Sequence, residues 1–442
     1  MSHLEYSFFI SSHPVYLDIP EFKLLKFNDY YIGSFSSKFK VGIENTLQLS
    51  FEEPFYRKEI RVVQRNLALI EDNIFKIKGS DMNTQAIYYI HNAQANKFIV
   101  FNDLYLARLL LESQKMEIEY NVSSYLYNLC FFTHINRLYA GEEITLYKHK
   151  DKIVFKKNRI TDILSTKPDN NYTFEDSQEI FYQAMDNAVT GAINNEQINI
   201  SLSGGIDSAT IAYFIKKAGK KLNAYTISTD WGSEFEEAKE TANFLDINLV
   251  QIHLSKEEII AEIPHLIRYY GFINPEKIEI ALIAFCLYKK LCELSKKNRV
   301  FFTGYGSDLL NAGIFCPFSN YRELESQILL GLKDAQLSNE FSNLFAFHFQ
   351  VDVVHPFWES ESIITALKIP PSYKVIDNQD KYFFRKCMGT FLPKNIAWRK
   401  KKGAHHGTGL SEYLGKELKT KSVSYQDTIL DIHKNIFYHG RL

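Results

Sequence analysis

The sequence predicts an α/β protein in two parts, a β-rich N-terminal region followed by a parallel sheet covered by helices. Three observations carry this expectation. Up to about residue 160, short β-branched and aromatic runs alternate with turns. From about residue 175, strands alternate with helical patterns of ten residues or more, as in a parallel sheet with crossover helices. Between them the stretch "TKPDNNYTFEDSQ", Thr166 to Gln178, is polar and rich in Pro and Asn, which places domains at residues 1–165 and 175–442.

In the first part, "YYIGSF", "EIRVVQRNLALI", "QAIYYIHNAQANKFIVF" and "EEITLYKHKDKIVFKK" read as strands, and "DLYLARLLLESQKM" interrupts them with a helical pattern. The helix "EIFYQAMDNAVTGAI" then leads into the strand "INIS". "LNAYTIST" is a strand, and "SEFEEAKETANFLDI" is a helix with Phe235, Ala238, Ala242 and Leu245 on one face and a Ser233…Glu236 capping box. "NLVQIHL" is a strand. "SKEEIIAEIPHLIRYYGF" is a helix with a second box, Ser255…Glu258. The long helix "NPEKIEIALIAFCLYKKLCELSKK" precedes the strand "RVFFTG". There is no internal repeat.

Composition narrows the function classes. The net charge is −1, without the basic excess of a general nucleic-acid binder. No stretch has the roughly 18 apolar residues of a membrane helix, and the N-terminus does not read as a signal peptide, so a cytoplasmic protein is expected. The cysteines Cys130, Cys286, Cys292, Cys316 and Cys387 lack C-x-x-C spacing and are expected to be buried thiols in a reducing compartment.

The stretch with chemistry is "INISLSGGIDSATIAYFIKKAG". Adjacent glycines, Gly204 and Gly205, end a strand and open a helix, at a cost in backbone entropy. They leave backbone N–H groups uncovered at a helix N-terminus, which favours anions. The spacing is neither that of a Walker A loop nor G-x-G-x-x-G. Asp207 follows, and a carboxylate beside phosphates needs Mg²⁺ between them. The expected ligand is therefore Mg-ATP held by its pyrophosphate.

Ser203-Gly204-Gly205-Ile206-Asp207-Ser208 resembles the S-G-G-x-D-S loop of ATP pyrophosphatases, which adenylate a substrate oxygen and release pyrophosphate. "FFTGYGSDLLNAGIF", "DVVHPFWESESII" and "WRKKKGAHHGTG" extend the likeness to the carbapenam synthetase and β-lactam synthetase family, relatives of class B asparagine synthetases, over about residues 199–409. That resemblance implies a PP-loop ATP-pyrophosphatase domain behind a glutaminase-type (Ntn-like) αββα domain. The chain begins Met1-Ser2-His3 where the glutaminases carry cysteine after Met, so the N-terminal domain is expected to be inactive. The implied reaction is intramolecular amide (β-lactam) formation on a small amino acid, in specialised metabolism, with homo-oligomerisation left open. The alternatives are an intermolecular amide ligase or amidotransferase, and a peptide macrolactam cyclase. A non-catalytic binding protein fits poorly with Asp207, Asp308 and Lys401 all in place.

Roles carry over position by position. Ser201, Leu202, Ser203, Gly204, Gly205, Asp207, Ser208, Ile227 and Gly304 correspond to positions around ATP, and Asp207 and Asp308 to ligands of Mg²⁺. Tyr305 of T-G-Y-G corresponds to a tyrosine paired with a Glu some thirty-five residues on, which points to Glu340. Together they would take the amine proton. Lys401, in "KKGAHHG", corresponds to the lysine that stabilises charge on the tetrahedral oxygen and leaving phosphate. His406 stands where the family usually has Glu, and Asn311 and Ala312 replace a small or apolar pair. Asp352 and His355 are expected to form a buried structural pair.

Overall fold

The computed structural model describes residues 7–17, 19, 22–27, 29–34, 39–44, 46–51, 67–71, 74–82, 86–122, 130–149, 152–193, 197–294, 300–341, 349, 351–400, 403–420 and 422–441. Residues 59–66 of the expected strand "EIRVVQRNLALI" lie outside these, as do Ser2, Lys401 and Lys402.

The N-terminal region contains two six-stranded antiparallel sheets. The first runs Asn136–Leu138, Ile87–Asn92, Lys97–Phe101, Phe8–Ser11, Tyr30–Ser34, Lys23–Phe27. The second runs Lys152–Arg159, Glu142–His149, Ile74–Lys78, Leu67–Glu71, Thr46–Phe51, Phe39–Glu44. Alternation decides which side chains meet. Phe8, Ile10, Ile87, Phe98 and Val100 face Phe75, Ile77, Ile144 and Leu146 of the second sheet in one apolar core. Their neighbours Phe9, Tyr88, Ile90, Ile99 and Phe101 point the other way, into a core shared with the helix Leu106–Ser113 and with C-terminal helices. The first sheet is thus apolar on both faces.

The second part is built on five parallel strands in the order Asn248–Leu254, Lys221–Thr229, Gln197–Ser201, Val300–Phe302, Asp352–Val354. In chain order this is third, second, first, fourth, fifth. Winding reverses between Gln197–Ser201 and Val300–Phe302, and ligands bind outside the carboxyl ends of strands at such a point. Both faces are covered. Ile198, Ile200, Leu222, Ala224, Val300 and Phe302 pack against helices that include Phe174–Thr190, Ile206–Lys217 and Phe235–Leu245. Tyr225, Ile227, Phe301 and Val353 face the core shared with the N-terminal region.

Several local expectations need correction. The Ser255–Glu258 capping box forms, but the Ser233–Glu236 box does not. Ser233 is drawn into a short antiparallel pairing with Ser228, its hydroxyl accepts from Phe235 N, and Glu234 becomes the helix N-cap. The single helix expected over 255–272 is two, Lys256–Ala261 and Ile263–Tyr270, because Pro264 supplies no N–H to continue the ladder. Of the cysteines, Cys130, Cys286 and Cys387 are buried, but Cys292 is only partly buried and Cys316 is exposed; all five are free. No helix among the described residues is long and apolar enough to cross a membrane.

Candidate active site

The two loops singled out by their glycines meet at the carboxyl ends of the neighbouring strands Gln197–Ser201 and Val300–Phe302. The first loop is fixed from within. Leu202 N donates to Tyr225 O at 2.8 Å, in line with the ladder that ends at Ser201. Ser208 Oγ accepts from Ser203 N at 3.2 Å, lies 3.3 Å from Ser203 Oγ and donates to Gly205 O at 3.2 Å. Gly204 has φ +73° and passes so near the helix Phe235–Leu245 that a Cβ there would lie 2.4 Å from the Glu237 carbonyl carbon. Gly205 caps the helix Ile206–Lys217, which presents Asp207 in its first turn. Ile227 lies two residues before the end of the adjacent strand Lys221–Thr229.

Gly304 of the second loop abuts the first. A Cβ there would sit 2.6 Å from Ser208 N and 2.7 Å from the Asp207 carbonyl carbon. Asp308 follows on a short helix, Ser307–Leu310. Asn311 is buried and donates to Ser307 O and Oγ, and Ala312 turns with φ 52°. The chain therefore brings Asp207 and Asp308 together across the switch point.

What joins them is Lys381, a residue that motif reading passed over. Its ammonium lies 2.6 Å from Asp207 Oδ1 and 2.6 Å from Asp308 Oδ1, and its side chain is fully buried. It stands in a left-handed turn at φ 55°, capping the helix Tyr382–Met388. Gly313 makes room for the contact, since a Cβ there would lie 2.3 Å from Asp308 Oδ1 and 2.4 Å from Lys381 Cε. Two carboxylates converging on one cation fit the needs of Mg²⁺, which is commonly bound by one or two carboxylates with substrate phosphates completing the shell. No group of three or more His, Cys, Asp or Glu side chains among the described residues could hold a metal.

Arg399 and Thr408 are both anchored at this end of the sheet. Arg399 donates from Nη1 to Gly204 O at 2.6 Å and to Glu237 O at 3.1 Å, and pairs through Nη2 with Glu240. Further along, Thr229 Oγ1 donates to Thr408 O at 2.6 Å. Lys401 itself is outside the described residues. His406 is exposed, with its ring 4.2 Å from that of His405.

Tyr305 lies on the far side of Gly304. Its ring packs 4.7 Å from Phe341, which stacks on Trp358 at 3.8 Å. Burial pushes its hydroxyl well above the ordinary value of 10, with Glu340, Tyr288 and Asp308 adding to the effect. Glu340 does not hydrogen-bond Tyr305; its Oε2 accepts from Lys277 Nζ at 3.3 Å, and Lys277 also holds Asp334 at 2.7 Å. Burial raises the Glu340 carboxyl above its usual range and Lys277 partly offsets this. Burial pulls Lys277 down, but the two carboxylates overcome it and hold the ammonium above its ordinary value. His355 Nδ1 lies 2.6 Å from Thr303 Oγ1, so the partner seen for this imidazole is Thr303 rather than Asp352. Desolvation lowers it to about 4, which keeps it neutral.

Comparison with known proteins bears on this arrangement. The profile of the family described as asparagine synthase matches residues 181–345 and 332–422, together more than half of the 442 residues. Carboxyethyl-arginine beta-lactam-synthase of Streptomyces clavuligerus is 27% identical over 210 residues, 48% of this chain and 40% of that protein. Glutamine-hydrolysing asparagine synthetase B of Escherichia coli is 23% identical over 292 residues, 61% of this chain and 50% of that protein. The chain thus spans half or less of the length of these two relatives. The solved NMN synthetase of Francisella tularensis, 15% identical, covers 62% of this chain and 98% of that one at a TM-score of 0.25, too slight a likeness to carry an argument. The matched span contains both glycine loops, Asp207, Asp308, Lys381 and Arg399, and on that span the chain belongs to the asparagine synthase family.

Proposed function

We propose that this chain is an ATP-dependent carbon–nitrogen ligase that activates a carboxylate as an acyl adenylate and closes an amide within the same small molecule. The observation that carries this reading is the convergence of Asp207 and Asp308 on one cation beside the Gly204-Gly205 helix N-terminus. That pairing suits a charged pyrophosphate with its metal. When bound, Mg²⁺ would neutralise charge on the departing pyrophosphate, held by Asp207 and Asp308.

The chain's own groups divide the work. The N–H groups at the start of the helix Ile206–Lys217 and the Ser203 hydroxyl would cradle the phosphates, with the Ser208 hydroxyl holding the loop in shape. A substrate carboxylate oxygen attacks the α-phosphorus and pyrophosphate leaves. The substrate amine then attacks the acyl carbon and AMP leaves, with the amine proton passing to a base. Of the two groups expected there, Glu340, a carboxyl raised by burial above its usual range, is the better proton acceptor. Tyr305, held as a neutral phenol, orients the amine and relays the proton. Catalytic hydrogen bonds often tighten only with substrate bound. Lys401, by the resemblance of its loop, would stabilise the tetrahedral oxygen. The 27% identity to a carboxyethyl-arginine beta-lactam-synthase supports an intramolecular amide and a carboxyethyl amino acid as substrate.

The test is incubation with Mg-ATP and a panel of amino acids that includes carboxyethyl-arginine, and aspartate with ammonia. The expected result is AMP, pyrophosphate and a product lighter than the acid by one water. ADP as product would overturn adenylation. Asparagine from aspartate and ammonia, with no cyclised product, would replace ring closure by intermolecular ligation.

A further inference from the structure

The N-terminal region reaches the residues that lead into the candidate base. Arg137 lies on the edge strand Asn136–Leu138 of the first sheet and is 2% exposed. Its Nη1 donates to Leu337 O at 2.9 Å and its Nη2 to Asn339 Oδ1 at 2.7 Å. Leu337 ends the helix Tyr321–Leu337, whose last carbonyls have no intrahelical donor. Arg137 supplies one from 200 residues away. The Asn339 amide then donates to Tyr270 O at 2.7 Å and to the Tyr88 hydroxyl at 3.3 Å. Tyr88 is itself on the first sheet, and the Arg137 guanidinium lies 5.9 Å from its ring centre.

The next residue is Glu340. The N-terminal region also holds its other surroundings: Gln336 Nε2 donates to Asp81 O, and Trp358 Nε1 donates to Met82 O beneath the Phe341 ring.

We infer that Arg137 is a positioning residue of the synthetase site, fixing from the N-terminal region the turn that presents Glu340 to the reacting amine. The inference rests on the reading of Glu340 given above. A planar fork that meets a backbone carbonyl and a side-chain amide at once fixes both the place and the tilt of the turn, which one ammonium cannot do. The N-terminal sheets then have a task in the chemistry without any glutaminase activity.

The test uses the full chain. In Arg137→Met, backbone amides of residues 337–341 should exchange with deuterium at least about 10-fold faster, while residues 206–217 stay unchanged. Arg137→Lys should fall between. With carboxyethyl-arginine, or whichever acid of the panel the wild type adenylates, amide product should drop about 10-fold while pyrophosphate exchange holds within about 3-fold. Arg137→Met combined with Glu340→Gln should be no slower than Glu340→Gln alone. Unchanged exchange at 337–341 overturns the inference, and so does equal loss of both half-reactions. Should Arg137→Met fail to fold, Asn339→Ala removes the same fork from the other side and is read in the same way. If Glu340→Gln keeps full product, the assignment of the base falls, and deuterium exchange still decides whether Arg137 holds the turn.

Discussion

At the scale of single residues, the site depends on how three charges, Asp207 and Lys381 buried and Asp308 partly exposed, share one space. Asp207 and Asp308 each face the Lys381 ammonium at 2.6 Å. In Asp207→Asn the ammonium keeps Asp308, so the protein should stay folded while AMP formation falls by about 10²–10³-fold. AMP formation at the wild-type rate would remove Asp207 from the chemistry. In Lys381→Met both carboxylates lose this ammonium, and breaking such an arrangement costs about 3–5 kcal/mol. Mg²⁺ should raise the melting temperature of Lys381→Met more than that of the wild type, since a divalent ion can take the vacated place. Equal shifts in the two proteins would count against a cation site there. A pH profile tests the base. Glu340 is raised above its ordinary 4.5 by burial, so its basic form fills only as pH climbs through that higher value. Amide formation should rise along an acid limb above the usual carboxylate range. Lys277→Met removes the cation that holds Glu340 down, so the limb should move further up in pH. A limb that stays where it was would mean that another group accepts the proton.

At the scale of elements, glycine decides how close the two loops come. Gly204→Ala places a Cβ on a φ of +73° and against the Glu237 backbone, a strain of about 1–2 kcal/mol before the clash is counted. Gly304→Ala meets Ser208 N and the Asp207 carbonyl carbon. Both variants should lower the affinity for Mg-ATP in calorimetry, Gly304→Ala without the left-handed strain. Unaltered affinity in both would place the nucleotide elsewhere. These glycines were legible in the sequence because a strand-to-helix junction with two of them has few other uses. Four of the five parallel strands were legible too, as β-branched apolar runs; the fifth, Asp352–Val354, is only three residues long and reads as part of a motif rather than as a strand. Other features were not. Ser233 has a capping-box spacing identical in kind to Ser255, yet a two-residue strand pairing takes it away. Lys381 carries no motif, because its role arises only when the chain returns after 174 residues to Asp207. The spacing that picked out Glu340 placed it near Tyr305 but gave no sign of Lys277, which comes from the helix Pro275–Leu294.

At the scale of the whole molecule, the boundary drawn in sequence is not a boundary in packing. One core contains Tyr88, Phe101, Leu110 and Phe131 from the N-terminal region with Ile227, Ile267, Leu282 and Phe437 from the remainder. The helix Tyr425–Phe437 returns to the N-terminal side, where His433 Nδ1 lies 2.6 Å from the Tyr120 hydroxyl. Arg268 crosses the same boundary to grip Asp103 with two bonds, 2.8 and 2.7 Å long, and is 1% exposed. Each large apolar side chain left uncovered costs about 1.5–3 kcal/mol, against a total stability of about 5–15 kcal/mol for a domain. A handful of them therefore suffices to unfold either part alone. Residues 175–442 expressed without the rest should be insoluble or unfolded by circular dichroism, and co-expression with residues 1–174 should restore a soluble complex. In the intact chain, Asp103→Ala strands a buried guanidinium and should lower stability by about 3–5 kcal/mol in denaturant titration. The loss should come as one transition, because the core on either side of the pair is the same core. Two separated transitions, or a 175–442 fragment that folds and adenylates alone, would show that the parts are independent and that the N-terminal sheets are only attached to the site, not part of what holds it.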